Sequence, residues 1–203
     1  MHPAPLPPAA DDADRDATAP GADVDEALME RFCNGDEGAF NALYQRHAGA
    51  LRGFLLRWSH SQATADDLLQ LTFISAVRGR GRWEKGRPVK PWLYAIAANA
   101  ARDWSRRQGR SETLTDDGAL PVTPVNGAAQ AMDHGLSRAV QTALAQLPEG
   151  QRLPILMHRF EGLGFAEIAE VMGLSETAVK VRAHRGYVRL RELLSGLKEE
   201  LDA

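Results

Sequence analysis

The sequence predicts an all-α fold of two small helical domains, and three observations carry that prediction. Apolar residues recur at three- and four-residue steps in two separated stretches, no stretch alternates with the period of a strand, and a segment rich in Pro, Gly and acids lies between them. The chain has 203 residues, 44% hydrophobic and 25% charged, which suits one or two compact domains with ordinary cores. Its single cysteine, Cys33, rules out an internal disulfide framework and reads as a small buried hydrophobe rather than a nucleophile. No apolar run approaches the ~20 residues that a membrane span needs. The stretch Met1–Pro20 lacks the basic start and apolar core of a secretory signal, so the expected location is the cytoplasm.

Residues 1–23, rich in Ala, Pro and Asp, cannot bury enough apolar surface to offset ordering and are expected to be disordered. A first helical domain is expected over 24–110. Its clearest helix follows Asp36, a good N-cap, and carries the stripe Phe40, Leu43, Tyr44, His47, Leu51, Phe54, Leu55 and Trp58. His47 on that stripe reads as a core or edge histidine. A second helix is expected to start near Thr64, whose pairing with Asp67 approximates a capping box, with Leu68, Leu69, Leu71, Phe73, Ile74 and Val77 as apolar positions. The stretch Arg78–Lys90, broken by Gly79, Gly81 and Gly86, reads as a loop. A further helix follows Pro88, with Pro91 in its first turn and Trp92, Leu93, Ile96, Ala97, Ala100 and Trp104 along it. Residues 111–132 read as a flexible linker, 133–197 as a second helical domain and 198–203 as a tail. Pro154 suggests a kink or a late helix start.

The net charge of −3 averages opposed segments. Residues 1–30 carry −7, residues 76–110 carry +8, and residues 177–191 hold five bases and no acid. Two basic blocks in an acidic chain are the footprint of a polyanion partner.

The segment Phe165–His184 fits a helix-turn-helix. Ile168, Ala169 and Met172 give the first helix its inward face, and the small Ala169 lets the second helix cross closely. Gly173 occupies the turn, Leu174 fills the corner, Ser175 caps the second helix and Val179 points back into the core. Glu176, Thr177, Lys180, Val181 and His184 then fall outward, able to reach base edges in a major groove, while Arg182, Arg185 and Arg189 can reach phosphates.

With both blocks in view, the chain resembles the extracytoplasmic-function group of bacterial sigma factors. Asp36-Glu-Gly-Ala-Phe-Asn-Ala-Leu-Tyr44, Ala65-Asp-Asp-Leu-Leu-Gln70 and Trp92-Leu-Tyr-Ala-Ile-Ala-Ala-Asn99, followed by Asp103 and Arg106-Arg107, match the first half of that family's pattern in order and spacing. Leu147-Pro-Glu-Gly-Gln-Arg152, Glu167-Ile-Ala169 and Val179-Lys-Val-Arg182 match the second half. The family often reads GTVKSR where this chain has Thr177-Ala-Val-Lys-Val-Arg182, so no particular −35 sequence carries over.

The resemblance implies a protein that joins core RNA polymerase, through the β′ clamp helices and the β flap, and directs initiation at promoter DNA. It places Asp67 and Gln70 on the clamp helices, although Asp67 as a cap of its own helix is a second reading. It places the −10 element against Arg80, Arg82, Trp83, Lys85, Arg87, Lys90, Asn99, Arg102 and Arg106. Cations along a single strand and a pocket for an unstacked base are what such a site requires. Trp83 is a candidate stacking residue, with Trp92 and Trp104 expected as core anchors. It also implies restraint by an anti-sigma factor, often a membrane protein in that family. Two other classes fit less well. A response-regulator-type activator needs α/β strands that residues 24–110 lack. For an enzyme there is no Gly-rich phosphate loop, no metal-ligand spacing among the histidines and no nucleophile–base pair, so no cofactor, metal, catalytic residue or small-molecule substrate is expected.

Overall fold

The computed structural model describes residues 22–108 and 138–201. The expected linker and almost all of the expected N-terminal extension lie outside the described residues. Within them the chain is helical: α1 Ala22–Cys33, α2 Glu37–Ser59, α3 Gln62–Gly79, α4 Val89–Arg107, α5 Arg138–Ala145, α6 Glu149–Glu161, α7 Phe165–Met172 and α8 Glu176–Leu201. No strand occurs among the described residues. Helix α8 runs four residues into the segment expected as a tail.

Local chemistry sets the helix ends. Asp36 starts α2 by accepting the Ala39 N–H at 3.1 Å, and it also takes a hydrogen bond from Arg31 Nε at 2.9 Å. The Arg31 hydrogen bond holds the Asp36 carboxyl below the usual range. The expected stripe of α2 is buried at Leu43, His47, Leu51, Phe54, Leu55 and Trp58, while Phe40 is half-buried and Tyr44 remains exposed. Helix α2 ends at His60, which adopts the left-handed φ of 56° that returns its N–H to Leu56 O at 2.8 Å.

Helix α3 begins earlier than the sequence suggests. Ser61, in extended backbone, caps it by accepting the Thr64 N–H at 3.3 Å, so Thr64 is already inside the first turn and forms no cap. The expected Arg78–Lys90 loop is shorter too. Helix α3 continues through Gly79 into a 3-10 turn at Arg80–Arg82, and α4 starts at Val89, immediately after Pro88. Pro154 sits in the middle of α6, which nonetheless starts at Glu149, so no late start occurs. Pro154 is one of five consecutive buried residues, Leu153 to Met157, so packing on both sides replaces what the missing N–H forfeits.

Helix α1, for which the sequence offered no motif, anchors the outer side of α2. Its buried Asp25 accepts from Arg46 Nε at 2.5 Å and pairs with His47 Nε2 at 2.8 Å. Burial, against the pull of Asp25, keeps the His47 imidazole below its ordinary pKa.

Helices α1–α4 and α5–α8 do not stand apart. Helix α2 packs on α6 and α4 packs on α7, so the buried apolar side chains of both halves form one continuous cluster.

Candidate nucleic-acid interface

The second half presents the helix-turn-helix in the expected register. Gly173 turns the chain at φ 66°, a value that glycine takes without steric cost, and its N–H reaches Ala169 O and Glu170 O. Ser175 Oγ accepts the Ala178 N–H at 3.2 Å and so starts α8. Val179, Ala183, Gly186 and Leu190 form the buried stripe of α8. Glu176, Thr177, Lys180, Val181 and His184 are all exposed on the opposite side. Arg185 is exposed as well, and Arg182 and Arg189 are half-buried at its edges. Lys180 pairs with Glu176 at 2.8 Å, a half-exposed surface pair of about 0.5 kcal/mol that a phosphate can replace.

One residue of α8 is held tighter than its composition suggests. A Cβ on Gly186 would lie 2.6 Å from Ile155 Cδ1 and 3.1 Å from Gln151 O, so α8 rests on α6 at bare backbone. The signal in the sequence was a glycine in the middle of a basic helix, which periodicity alone does not interpret.

The first half is arranged differently. Asp67 and Gln70 are exposed, nearly one turn apart on α3. Asp67 lies at the edge of a groove of about 610 Å³ between α3 and α4, which Asn99, Arg82, Leu71, Trp92 and Trp104 also line. The polymerase candidate Asp67 and the −10 candidate Asn99 therefore share one groove. The tryptophans exchange roles relative to expectation. Trp83 is buried, with its indole N–H donating to Arg87 O at 3.1 Å, and has no free face for a base. Trp92 and Trp104 are half-buried and reach the groove.

Most of the bases expected at the −10 element have protein partners. Arg80 donates to Val77 O at 3.2 Å and lies over the Phe32 ring, and Lys85 pairs with Glu30 at 3.0 Å. Arg106 pairs with Asp103. Arg82 is exposed at the groove. The remaining three reach across to the second half. Arg87 meets Glu170 of α7 at 3.4 Å as well as Glu84 at 2.9 Å; Lys90 donates to the Glu161 backbone carbonyl; Arg102 pairs with Glu149 at 3.0 Å and also donates to Asn99 Oδ1 at 3.2 Å.

Glu161 is the centre of this seam, and sequence reasoning missed it. Its side chain is only 3% exposed and accepts from both Arg57 and the Tyr94 hydroxyl. Burial, then the Glu161 charge, push the Tyr94 hydroxyl far above its ordinary pKa, so it remains a donor. Nearby, Arg152 of α6 lies 4.3 Å over the Trp58 ring. His60 is half-buried nearby, and partial burial together with the Arg152 charge lowers its pKa to about 4. No helix among the described residues is long and apolar enough to cross a membrane.

The paired architecture matches known proteins. The family described as "Sigma-70 region 2" matches residues 43–111, and "Sigma-70, region 4" matches residues 137–190. The chain is 44% identical over 175 residues to the RNA polymerase sigma factor CarQ of Myxococcus xanthus, covering 85% of this chain and 99% of that protein. The chain belongs to the extracytoplasmic-function sigma factors. Its activity is promoter-specific initiation of transcription with RNA polymerase. It is also 32% identical over 173 residues to the ECF RNA polymerase sigma factor SigM of Mycobacterium tuberculosis, covering 85% of this sigma factor and 86% of SigM. Among solved structures it is similar to CnrH in complex with the cytosolic domain of CnrY, with a TM-score of 0.64, 26% identity and coverage of 85% and 97%. It is likewise similar to the sigma factor RpoE in complex with the anti-sigma factor NepR from Bartonella quintana, with a TM-score of 0.60, 25% identity and coverage of 77% and 96%.

Proposed function

We propose that this sigma factor works in the cytoplasm with core polymerase and divides promoter recognition between its halves. The observation that carries the reading is the outward face of α8, where five side chains of suitable length and polarity project from a capped, glycine-turned helix backed by a buried stripe. That face reads the −35 duplex: Lys180 and Glu176 reach base edges, Val181 offers an apolar surface to a thymine methyl, and Arg182, Arg185 and Arg189 engage phosphates. Asn99, Arg82 and the bases around α4 act at the −10 element, and Trp92 and Trp104 replace Trp83 as the aromatic surface there. Asp67 and Gln70 dock on the β′ clamp helices, and the second half meets the β flap. None of these steps asks a side chain of this protein to make or break a covalent bond.

An anti-sigma factor is the restraining partner, as CnrY's cytosolic domain and NepR accompany the two similar structures. Asp67, Gln70 and most of the Thr177–Arg191 face stay exposed and available to it. Hydrogen exchange with such a partner should protect α3 and α8 together; protection of only one half would overturn the two-sided embrace.

The deciding experiment for function is run-off transcription with bacterial core polymerase on a candidate promoter. A promoter-specific product is expected, and its absence with every core enzyme and candidate promoter would defeat the proposal. Asp67→Ala with Gln70→Ala should weaken core binding about a hundredfold while circular dichroism stays unchanged, as loss of a small hot spot does. Unchanged affinity would remove both from the interface.

A further inference from the structure

Resting on the assignment of Asn99 to the −10 element just described, we propose that Arg102 is a positioning residue. It fixes which end of the Asn99 amide faces the groove between α3 and α4, and thereby which nucleobases that groove accepts. Asn99 and Arg102 stand three residues apart on α4, a spacing at which side chains of one helix meet. Arg102 Nη1 donates to Asn99 Oδ1 at 3.2 Å. A guanidinium has donors only, so the amide atom turned to it is the oxygen, and the NH2 group points elsewhere. Arg102 is itself held in place. Its side chain is 16% exposed, its Nε donates to Glu149 at 3.0 Å, and its buried Nη2 meets no acceptor among the described residues. Two acceptors therefore fix the guanidinium, and one of them is Asn99.

The polarity of one amide matters because of what else lines the groove. Asn99 shares it with Trp92, Trp104, Asp67 and Asp103. The half-buried Trp92 and Trp104 offer ring surface for stacking, which every nucleobase can use, so the choice among nucleobases falls to the polar groups. The usual pairing of asparagine with adenine uses both ends of the amide: the oxygen accepts from N6 and the NH2 group donates to N7. Here the oxygen lies on the Arg102 guanidinium, whose positive charge repels a second donor, and Asn99 turns two N–H donors to the groove. Two donors are matched by two neighbouring acceptors. Cytosine has such a pair at O2 and N3, and guanine at O6 and N7. Adenine has none, because its amino group lies beside both N1 and N7, and in thymine N3–H separates O2 from O4. The carboxylates of Asp67 and Asp103 accept an amino group from cytosine or guanine and find none on thymine. Arg102 thus selects against adenine without needing to touch the nucleobase.

The test uses holoenzyme assembled with bacterial core polymerase and fluorescein-labelled fork DNA, duplex upstream and single-stranded over the non-template −10 element. Each −10 position carries cytosine, guanine, thymine or adenine in turn, and circular dichroism checks the folding of every variant. At one position the wild type binds cytosine or guanine about tenfold more tightly than adenine, the size of one base-edge pairing, and Asn99→Ala lowers that ratio to about one. The cytosine and guanine strands show which of the two acceptor pairs is used. Arg102→Met frees the amide to turn and lowers the ratio to about two, whereas loss of a phosphate contact alone weakens all four strands alike. Arg102→Lys keeps a cation on the amide oxygen and retains most of the ratio. Glu149→Gln leaves the ratio within about twofold, because the bond from Arg102 to Asn99 lies within α4. Asn99→Asp keeps the shape but replaces the donors with an acceptor, so adenine is no longer disfavoured; it decides the matter if Arg102→Met loses helicity. A wild-type ratio in a folded Arg102→Met or in Asn99→Asp, or Arg102→Lys no better than Arg102→Met, overturns the positioning role. So does a shift in Glu149→Gln as large as that in Arg102→Met, or a wild-type preference for adenine at the position that depends on Asn99. If Asn99→Ala changes no ratio at any position, the assignment of Asn99 to the −10 element fails, and the proposal falls with it.

Discussion

The two basic blocks of this sigma factor both carry a clear positive excess, and they have opposite fates. In the first, Lys85, Arg87, Lys90, Arg102 and Arg106 all have acidic side chains or carbonyls as partners, three of them across the seam. In the second, Lys180 has a half-exposed pair within its own helix, and the outward face of α8 is open to solvent. The difference shows that a count of cations measures potential for polyanion binding, whereas the location of the carboxylates decides when that potential is expressed. In the first block three bases are covered by the other half of the fold, whereas in the second the partner of Lys180 lies four residues away on the same exposed helix face.

The comparison is sharpened most by salt. In the holoenzyme, Lys180→Ala with Arg182→Ala should lower affinity for a −35 duplex about a hundredfold, and the log–log salt slope should fall by about 0.9 for each phosphate no longer neutralised. Asn99→Ala should leave the duplex −35 step intact and cost about tenfold on a double-stranded template, with partial recovery on a pre-melted one. Identical defects for the two sets on both templates would break the division between the blocks.

A second prediction addresses the seam between the blocks. His60 has its pKa lowered from 6.5 to about 4, so between those values the unfolded chain binds a proton that the folded chain refuses. The stability of the neutral form is whole above about pH 6.5 and is lost as pH falls toward 4. Urea unfolding should show about 2 kcal/mol less stability at pH 5 than at pH 7 from this group alone. His47, lowered in the same direction, adds to the loss. His60→Asn, which tolerates the left-handed backbone and does not titrate, should reduce the dependence to what His47 leaves. An undiminished acid slope would mean that the seam does not shelter His60.

The smallest expected effect is at Gly186. Alanine there should destabilise the second half by about 1–2 kcal/mol in thermal or urea unfolding. The Ile155 methyl can move aside, but the Gln151 carbonyl belongs to the α6 backbone and cannot. Unchanged stability would mean that α8 is not seated there.

What was legible in the sequence were features that repeat at short range. The α2 stripe, the Asp36 cap, the Gly173 turn, the Ser175 cap and the exposed face of α8 are each set by neighbours within a few residues. What was not legible depends on residues far apart in the chain. Glu161 meets Arg57 across 104 positions and Tyr94 across 67, and nothing periodic marks such a pair. The Ser61 cap was missed because Thr64, three residues on, offers the same chemistry, and only backbone geometry separates them. Trp83 was misjudged for a related reason: whether an indole is buried or open depends on where Arg87 O lies, which composition cannot state.

The seat at Gly186 also fixes how α8 is rotated about its own axis. Advancing the helix by a single residue turns it by about 100°, which would drive the side chain of Arg185 or Tyr187 against Gln151. The angular setting of Glu176, Thr177, Lys180, Val181 and His184 is thus imposed from between half a turn and nearly three turns away, by a position on the opposite, buried side of the helix. Substitutions on the outward face can change which promoter sequence is preferred without disturbing that alignment. Addition of a single methyl at Gly186 would tilt or roll all five at once and blur discrimination between sequences before it abolished affinity.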